Sequence, residues 1–414
     1  MIKSAVVLSA AAWRLVAASS SLSFPMQHNR AEMNFDGYPL KLAVDSGSAE
    51  SYLVYGGWYE SLYGPGSCEH LLTGCYFCPA TDPCDLDSLL AQGTHRLMFI
   101  SGCSVDVVVR NVTLLVGEQA FRNFQIGLMV GNNGLDRCAH PYALLGLSIT
   151  PANTTTERLP SALQQLVKAG GISETAFSIH VSKLYVGISG SLVLGREPHN
   201  ATSMISFPLV RPRWARQAFA IAASVVRVKS ASTTDQVIDL SGRQRNLQVV
   251  VDTGTARTKL PTEVFSMVLA AITAEFGGFK HVRWSESTHQ QQKAELLAYL
   301  DNHGHIWVRK NLLGQLPVVV VEVGAESSFE VNLSNHAQIC ENDWCVLLLT
   351  NKIRFLGPSH IFVLGQSFFM DYNLHVNFDD NVIGLATPQG PVEKQVVSKQ
   401  SWTEILNPRC KRTF

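Results

Sequence analysis

Two short segments of this chain carry residues whose types and spacing could do acid–base chemistry: Asp45-Ser46-Gly47-Ser48 and Asp252-Thr253-Gly254-Thr255. Each reads Asp-[Ser/Thr]-Gly-[Ser/Thr], and the aspartates stand 252 − 45 = 207 residues apart. A carboxylate at the end of an apolar strand is costly to bury unless it is hydrogen-bonded or used. Two such carboxylates within hydrogen-bond reach cannot both ionise comfortably, so they share one proton. The ionised member can act as base toward water, and the protonated member as acid toward a carbonyl oxygen. Coupled groups titrate as a pair, so the residues alone do not say which aspartate is which.

The elements that must position these carboxylates are apolar runs. Leu40-Lys41-Leu42-Ala43-Val44 leads into Asp45, and Leu247-Gln248-Val249-Val250-Val251 into Asp252. Such runs ending at Gly predict buried strands that stop in tight loops. Gly47 and Gly254 permit the turns, while Ser48 and Thr255 can donate to the outer carboxylate oxygens, with Ser46 and Thr253 completing the support. A second pair echoes as well: Ala143-Leu144-Leu145-Gly146 and Phe362-Val363-Leu364-Gly365. A repeated order of motifs predicts two related lobes, each bringing one aspartate to a shared site.

The chain has 414 residues, 46% hydrophobic and 16% charged, which suits two globular lobes. With 33 basic against 33 acidic residues and no long basic run, nucleic acid is not an expected partner. Residues 1–20, with Lys3, Ala5-Val6-Val7-Leu8 and Val16-Ala17-Ala18, read as a signal peptide. An N-terminal lobe over 21–205 follows, with a Cys-rich insertion at about 56–95 and, as the family resemblance given below implies, a flap at about 96–108. A C-terminal lobe spans 206–386, entered at Phe207-Pro208-Leu209, and a polar tail covers 387–414. No run of 18 apolar residues occurs after the leader, so no transmembrane anchor is predicted.

Nine cysteines favour an oxidising compartment and disulfides. Cys75-x-x-Cys78 has no matching second half, so no metal is expected. Sequons at Asn111, Asn153, Asn200 and Asn332 permit glycosylation. Helices are expected over Leu159–Val167, with Pro160 at the start, and from Thr262, with Thr262 as cap. Residues 277–312 are polar, His-rich and without a readable period.

These motifs, with the closing block Phe362-Val-Leu-Gly-Gln-Ser-Phe-Phe-Met-Asp-Tyr372 running to Val382-Ile-Gly-Leu-Ala386, resemble a pepsin-like aspartic endopeptidase over residues 24–386. The resemblance implies a mostly β, bilobal acid-protease fold with an active-site cleft between two related β lobes. It implies Asp45 and Asp252 as catalytic dyad, with Asp45 more often drawn as the ionised partner. It also implies peptide or protein substrates, no cofactor, a monomer, and a place in the secretory pathway. Tyr52, seven residues after Asp45, stands where the family commonly has a Trp supporting the flap.

The family's flap usually carries a Tyr beside a Gly. Here that stretch is Phe99-Ile100-Ser101-Gly102-Cys103-Ser104, so Tyr52, Ser101, Gly102 and Cys103 are the candidate flap and substrate contacts. The missing Tyr makes a weak or inactive homologue that binds peptides the alternative reading. Within the family, the Cys-rich insertion, the stretch from His140 to Ser148, Cys345, Ser367-Phe368-Phe369 and Cys410 resemble the plasmepsin V subgroup. That subgroup carries a cysteine in the flap, where Cys103 sits, and the likeness implies a preference for Arg and Leu before the cleaved bond and no activation by pro-segment removal, the alternative being a truncated N-terminus. Were the other eight cysteines to form four bridges, Cys103 would keep its thiol.

Overall fold

In this computed structural model the described residues are 21–99, 103–133, 141–150, 159–185, 187–197, 204–212, 217–231, 235–240, 247–277, 280–281, 296–301, 304–351 and 361–394. The expected leader, Ser101, Gly102, Cys138, Cys410, Asn153, Asn200 and the end of the tail lie outside them.

Alternating buried and exposed side chains make the opening strands, Ser21–Gln27 and Arg30–Phe35, each bury one face. They join through His28 and Asn29, both with positive φ (51° and 59°), the geometry a two-residue hairpin needs. Asp36-Gly37 turns the chain again into Tyr38–Asp45. From such units the protein is mostly β and bilobal. A nineteen-stranded sheet runs through both halves, and the second half adds four- and five-stranded sheets.

The halves are tied by strands from the far end of the sequence. Asn373–Asn377 pairs with Ala176–Leu184, and Val382–Ala386 with Met204–Val210. Phe177, Phe219 and Phe378 meet at this crossing with ring centroids 5.8–6.3 Å apart. Burying each side chain contributes about 1.5–3 kcal/mol.

The two aspartate strands sit in equivalent places. Tyr38–Asp45 runs parallel to Leu144–Gly146, with Asp45 opposite Gly146. Leu247–Val251 runs parallel to Ile361–Leu364, with Val251 opposite Leu364.

Both helix starts differ from expectation. The first helix is Ala162–Lys168, capped by Ser161, which accepts from the Gln164 N–H, so Pro160 precedes the helix and does not open it. Pro261 occupies the cap of Thr262–Phe276, so Thr262 is already helical and caps nothing. A proline's fixed φ and missing N–H suit that entry.

Cys68–Cys75, Cys78–Cys84 and Cys340–Cys345 are disulfides, and Cys103 keeps its thiol. The first two staple the Cys-rich insertion. Arg110 of the strand Ser104–Val116 anchors it through Asp82 at 2.6 Å, and Tyr76 through Asp36 at 2.8 Å. No described helix is long and apolar enough to cross a membrane.

Candidate active site

Each aspartate loop is built over a glycine that has no room for a side chain. A Cβ on Gly146 would come within 2.5 Å of the Glu50 carbonyl, and one on Gly365 within 2.7 Å of the Arg257 carbonyl. The Gly146 N–H donates to Ser51 Oγ at 3.0 Å and the Gly365 N–H to Thr258 Oγ1 at 3.1 Å. Those hydroxyls have the same offset from their aspartates, 51 − 45 = 258 − 252 = 6. The echo in the sequence is therefore a repeated loop over a glycine.

The loops interlock. The Ser46 N–H donates to Thr253 Oγ1 and the Thr253 N–H to Ser46 Oγ, both at 3.0 Å. The Thr253 hydroxyl donates on to the Val44 carbonyl and the Ser46 hydroxyl to that of Val251, both at 2.8 Å. Both residues are fully buried, so each unmade bond would leave a polar group without water.

With the loops locked, each glycine lies against the opposite aspartate. A Cβ on Gly47 would sit 2.8 Å from the Asp252 carboxyl carbon, and one on Gly254 2.6 Å from that of Asp45. Neither glycine has a left-handed φ. Room for a carboxyl, not turn geometry, is what requires them.

Asp45 Oδ1 accepts from the Gly47 N–H at 2.9 Å, and Asp252 Oδ1 from the Gly254 N–H at 2.8 Å. Of the two expected hydroxyl donors, Thr255 turns to a carbonyl oxygen. Thr255 Oγ1 points to the Arg257 carbonyl at 3.4 Å, and Ser48 offers its carbonyl to the Ser148 N–H at 2.9 Å.

Asp45 is 8% exposed, while Asp252 is partly open. Burial, then the neighbouring Asp252, hold Asp45 well above the usual carboxylate range, and Glu50 pushes the same way. Burial raises Asp252 as well. Its hydrogen bond with Asp45, the Gly254 and Gly47 amides and the Lys259 charge all oppose that rise. The pair can hold one proton and one negative charge, the requirement for activating water while polarising a carbonyl.

Several supports escaped sequence reasoning. Asn29 Nδ2 donates to the carbonyls of Val44 and Thr253, 2.9 Å each, the second of them 224 residues further along the chain. Its place between two alternating runs signalled a hairpin; nothing local signalled the reach. Gln366 Nε2 donates to the same Thr253 carbonyl at 2.9 Å.

Behind Thr258, buried His336 accepts its hydroxyl at Nε2 (2.9 Å) and donates from Nδ1 to the Asn332 carbonyl (3.2 Å). Burial pushes this imidazole down to about 4, so it is neutral. In the unreadable 277–312 stretch, Ala298–Leu300 and Ile306–Arg309 form a hairpin. At its tip Asp301 accepts from His305 Nδ1 at 2.9 Å and Trp307 Nε1 at 3.1 Å. His305 Nε2 lies 3.0 Å from Arg257 Nη1. Arginine only donates, so Nε2 accepts and the His305 proton is on Nδ1.

Tyr52 is buried against Phe99 and Tyr142, with ring centroids 6.4 and 6.5 Å away. The Tyr142 phenol is near enough to act on its ionisation, yet the Tyr52 hydroxyl has no partner in hydrogen-bond geometry. Cys103 is half-buried, and its carbonyl accepts from the Phe99 N–H at 2.9 Å. Among the described residues, no group of three His, Cys, Asp or Glu side chains could hold a metal ion.

A search of curated proteins finds no match. A family model described as eukaryotic aspartyl protease matches residues 40–388, a span that contains both interlocked loops and both supporting glycines. The chain belongs to the eukaryotic aspartyl protease family.

Proposed function

We propose that this protein is an aspartic endopeptidase that hydrolyses extended peptides with Asp45 and Asp252 as its dyad. The observation that carries the reading is the reciprocal lock of Ser46 and Thr253, which holds one carboxyl from each lobe against the other. Asp252, with the Gly254 amide and the Lys259 charge to favour its anion, takes a proton from water. Asp45, the more buried of the two and with Glu50 also opposing its anion, carries the shared proton in this reading, the reverse of the family's usual drawing.

The water oxygen bonds to the scissile carbonyl carbon as Asp45 protonates the carbonyl oxygen, giving a gem-diol. Asp252 then passes its proton to the amide nitrogen while Asp45 takes one from the diol. The C–N bond breaks, leaving a carboxylic acid and an amine and restoring both side chains. No covalent intermediate forms.

The three disulfides among the described residues support an oxidising, secretory compartment. The finer likeness to the plasmepsin V subgroup rests on the sequence motifs, among them the Cys103 thiol. Cleavage of a diverse peptide library from acid to neutral pH tests the proposal. Turnover should be present in the native protein and absent in Asp45→Asn and Asp252→Asn. A folded native protein that cuts nothing would sink it in favour of a peptide-binding homologue.

A further inference from the structure

Tyr142 stands out because part of its side chain is open to solvent while its phenol end is enclosed. Ala143 beside it is fully buried, whereas Tyr142 is 40% exposed. It enters the strand Leu144–Gly146, whose residues run parallel to Ala43–Asp45. Its position is therefore fixed by the same short strand that supports the Asp45 loop.

The ring is not loose. It packs on Tyr52, which pairs with Leu144 of that strand and in turn meets Phe99 at the base of the hairpin. Phe99, Tyr52 and Tyr142 thus form a row of rings from the hairpin stem to the dyad side. The phenol is pushed up to about 12 by burial first and then by Asp45, with Cys103 and Asp252 acting the same way. Tyr142 thus comes in on the strand that carries the glycine beneath the Asp45 loop, with its ring on Tyr52 and so in line with the hairpin stem. Such a phenol stays protonated and remains a donor throughout acid and neutral pH.

We propose that Tyr142 is a substrate-contacting residue, covering the peptide on the Asp45 side of the dyad in place of an aromatic residue from the hairpin tip. Its ring packs against an apolar side chain next to the scissile bond, and its hydroxyl donates to a peptide carbonyl of the substrate. Tyr52 is its positioning residue. The contact also shields the reacting atoms from water.

This inference rests on the endopeptidase reading, and the test separates the two. The peptide library is cut by native protein, Tyr142→Phe, Tyr142→Ala and Asp45→Asn, with thermal melting as the folding control. Because Tyr142 is substantially exposed, both Tyr142 variants should melt with the native protein.

Tyr142→Phe should lose about tenfold in kcat/KM, the value of one hydrogen bond. Tyr142→Ala should lose about a hundredfold, and its preference for apolar residues beside the cut should broaden. If native protein cuts and Asp45→Asn does not, while Tyr142→Ala keeps native rate and preference, the inference falls and the endopeptidase reading stands. If native protein cuts nothing, that reading falls. Binding of a hydroxyethylene peptide isostere then decides on Tyr142: tenfold or greater weakening in Tyr142→Ala upholds the contact, and unchanged binding overturns it.

Discussion

The loop after Asp45 and the loop after Asp252 share a backbone and differ in charge. Both lie over a glycine, and both hold that glycine's N–H with a hydroxyl six residues past the aspartate. At the fifth and seventh positions they part: Glu50 and Tyr52 in the first lobe, Arg257 and Lys259 in the second. Glu50 is 7% exposed and accepts from the Gln217 side chain, while Arg257 donates to His305. One carboxyl therefore faces a buried acid and the other a cation. Duplicated hydrogen bonds set where the carboxyls are; burial raises both, and the unlike charges push the two in opposite directions.

The shared part predicts equal damage. Gly47→Ala and Gly254→Ala each place a Cβ within 3 Å of the opposite carboxyl, so both should cut kcat/KM more than a hundredfold. A tolerant variant at either position would break the likeness between the loops.

The hydroxyl supports should differ. Thr258→Val leaves both the Gly365 N–H and His336 Nε2 without partners, and should cost about 2–4 kcal/mol in urea unfolding. Ser51→Ala leaves only the Gly146 N–H, about 1–2 kcal/mol. Equal costs would mean His336 adds nothing.

The charges should act in opposite senses on the pH–rate profile. Lys259 favours the Asp252 anion, so Lys259→Met makes that carboxyl harder to ionise. The acid limb of kcat/KM moves to higher pH, with several-fold loss on the acid side and an unchanged plateau. Glu50 disfavours the Asp45 anion, so Glu50→Gln lets Asp45 lose its proton earlier. The alkaline limb then moves to lower pH. This should be the smaller effect, because burial and Asp252 both outweigh Glu50 at Asp45. Shifts in the same direction would show that the two carboxyls titrate without regard to their neighbours.

What was legible in the sequence was what had been duplicated. Asp45, Asp252, Gly146 and Gly365 announced themselves because each had a counterpart at the same point of the motif order. The strands leading to them were legible from their apolar runs. Glu50 and Lys259 were not, since a charged residue in a loop is ordinarily solvated and only burial makes it consequential. Asn29 was invisible as a support because its partner lies in the other half of the chain. The first helix begins at Ala162, three residues after the start its apolar pattern suggested, and the cap of the second was misplaced by one residue, as flanking residues compete for one role.

The strand Ile361–Leu364 has a further consequence, in the order in which the molecule is made. Asp252 rests on the Leu364 carbonyl, Thr253 on Gln366, and Ala176–Leu184 on Asn373–Asn377. All three supports are translated after both aspartates. A chain still on the ribosome therefore carries the complete pair of acids without the frame that makes them a pair. The proposed proteolysis therefore has to wait until Asn373–Asn377 has been made and has docked on Ala176–Leu184.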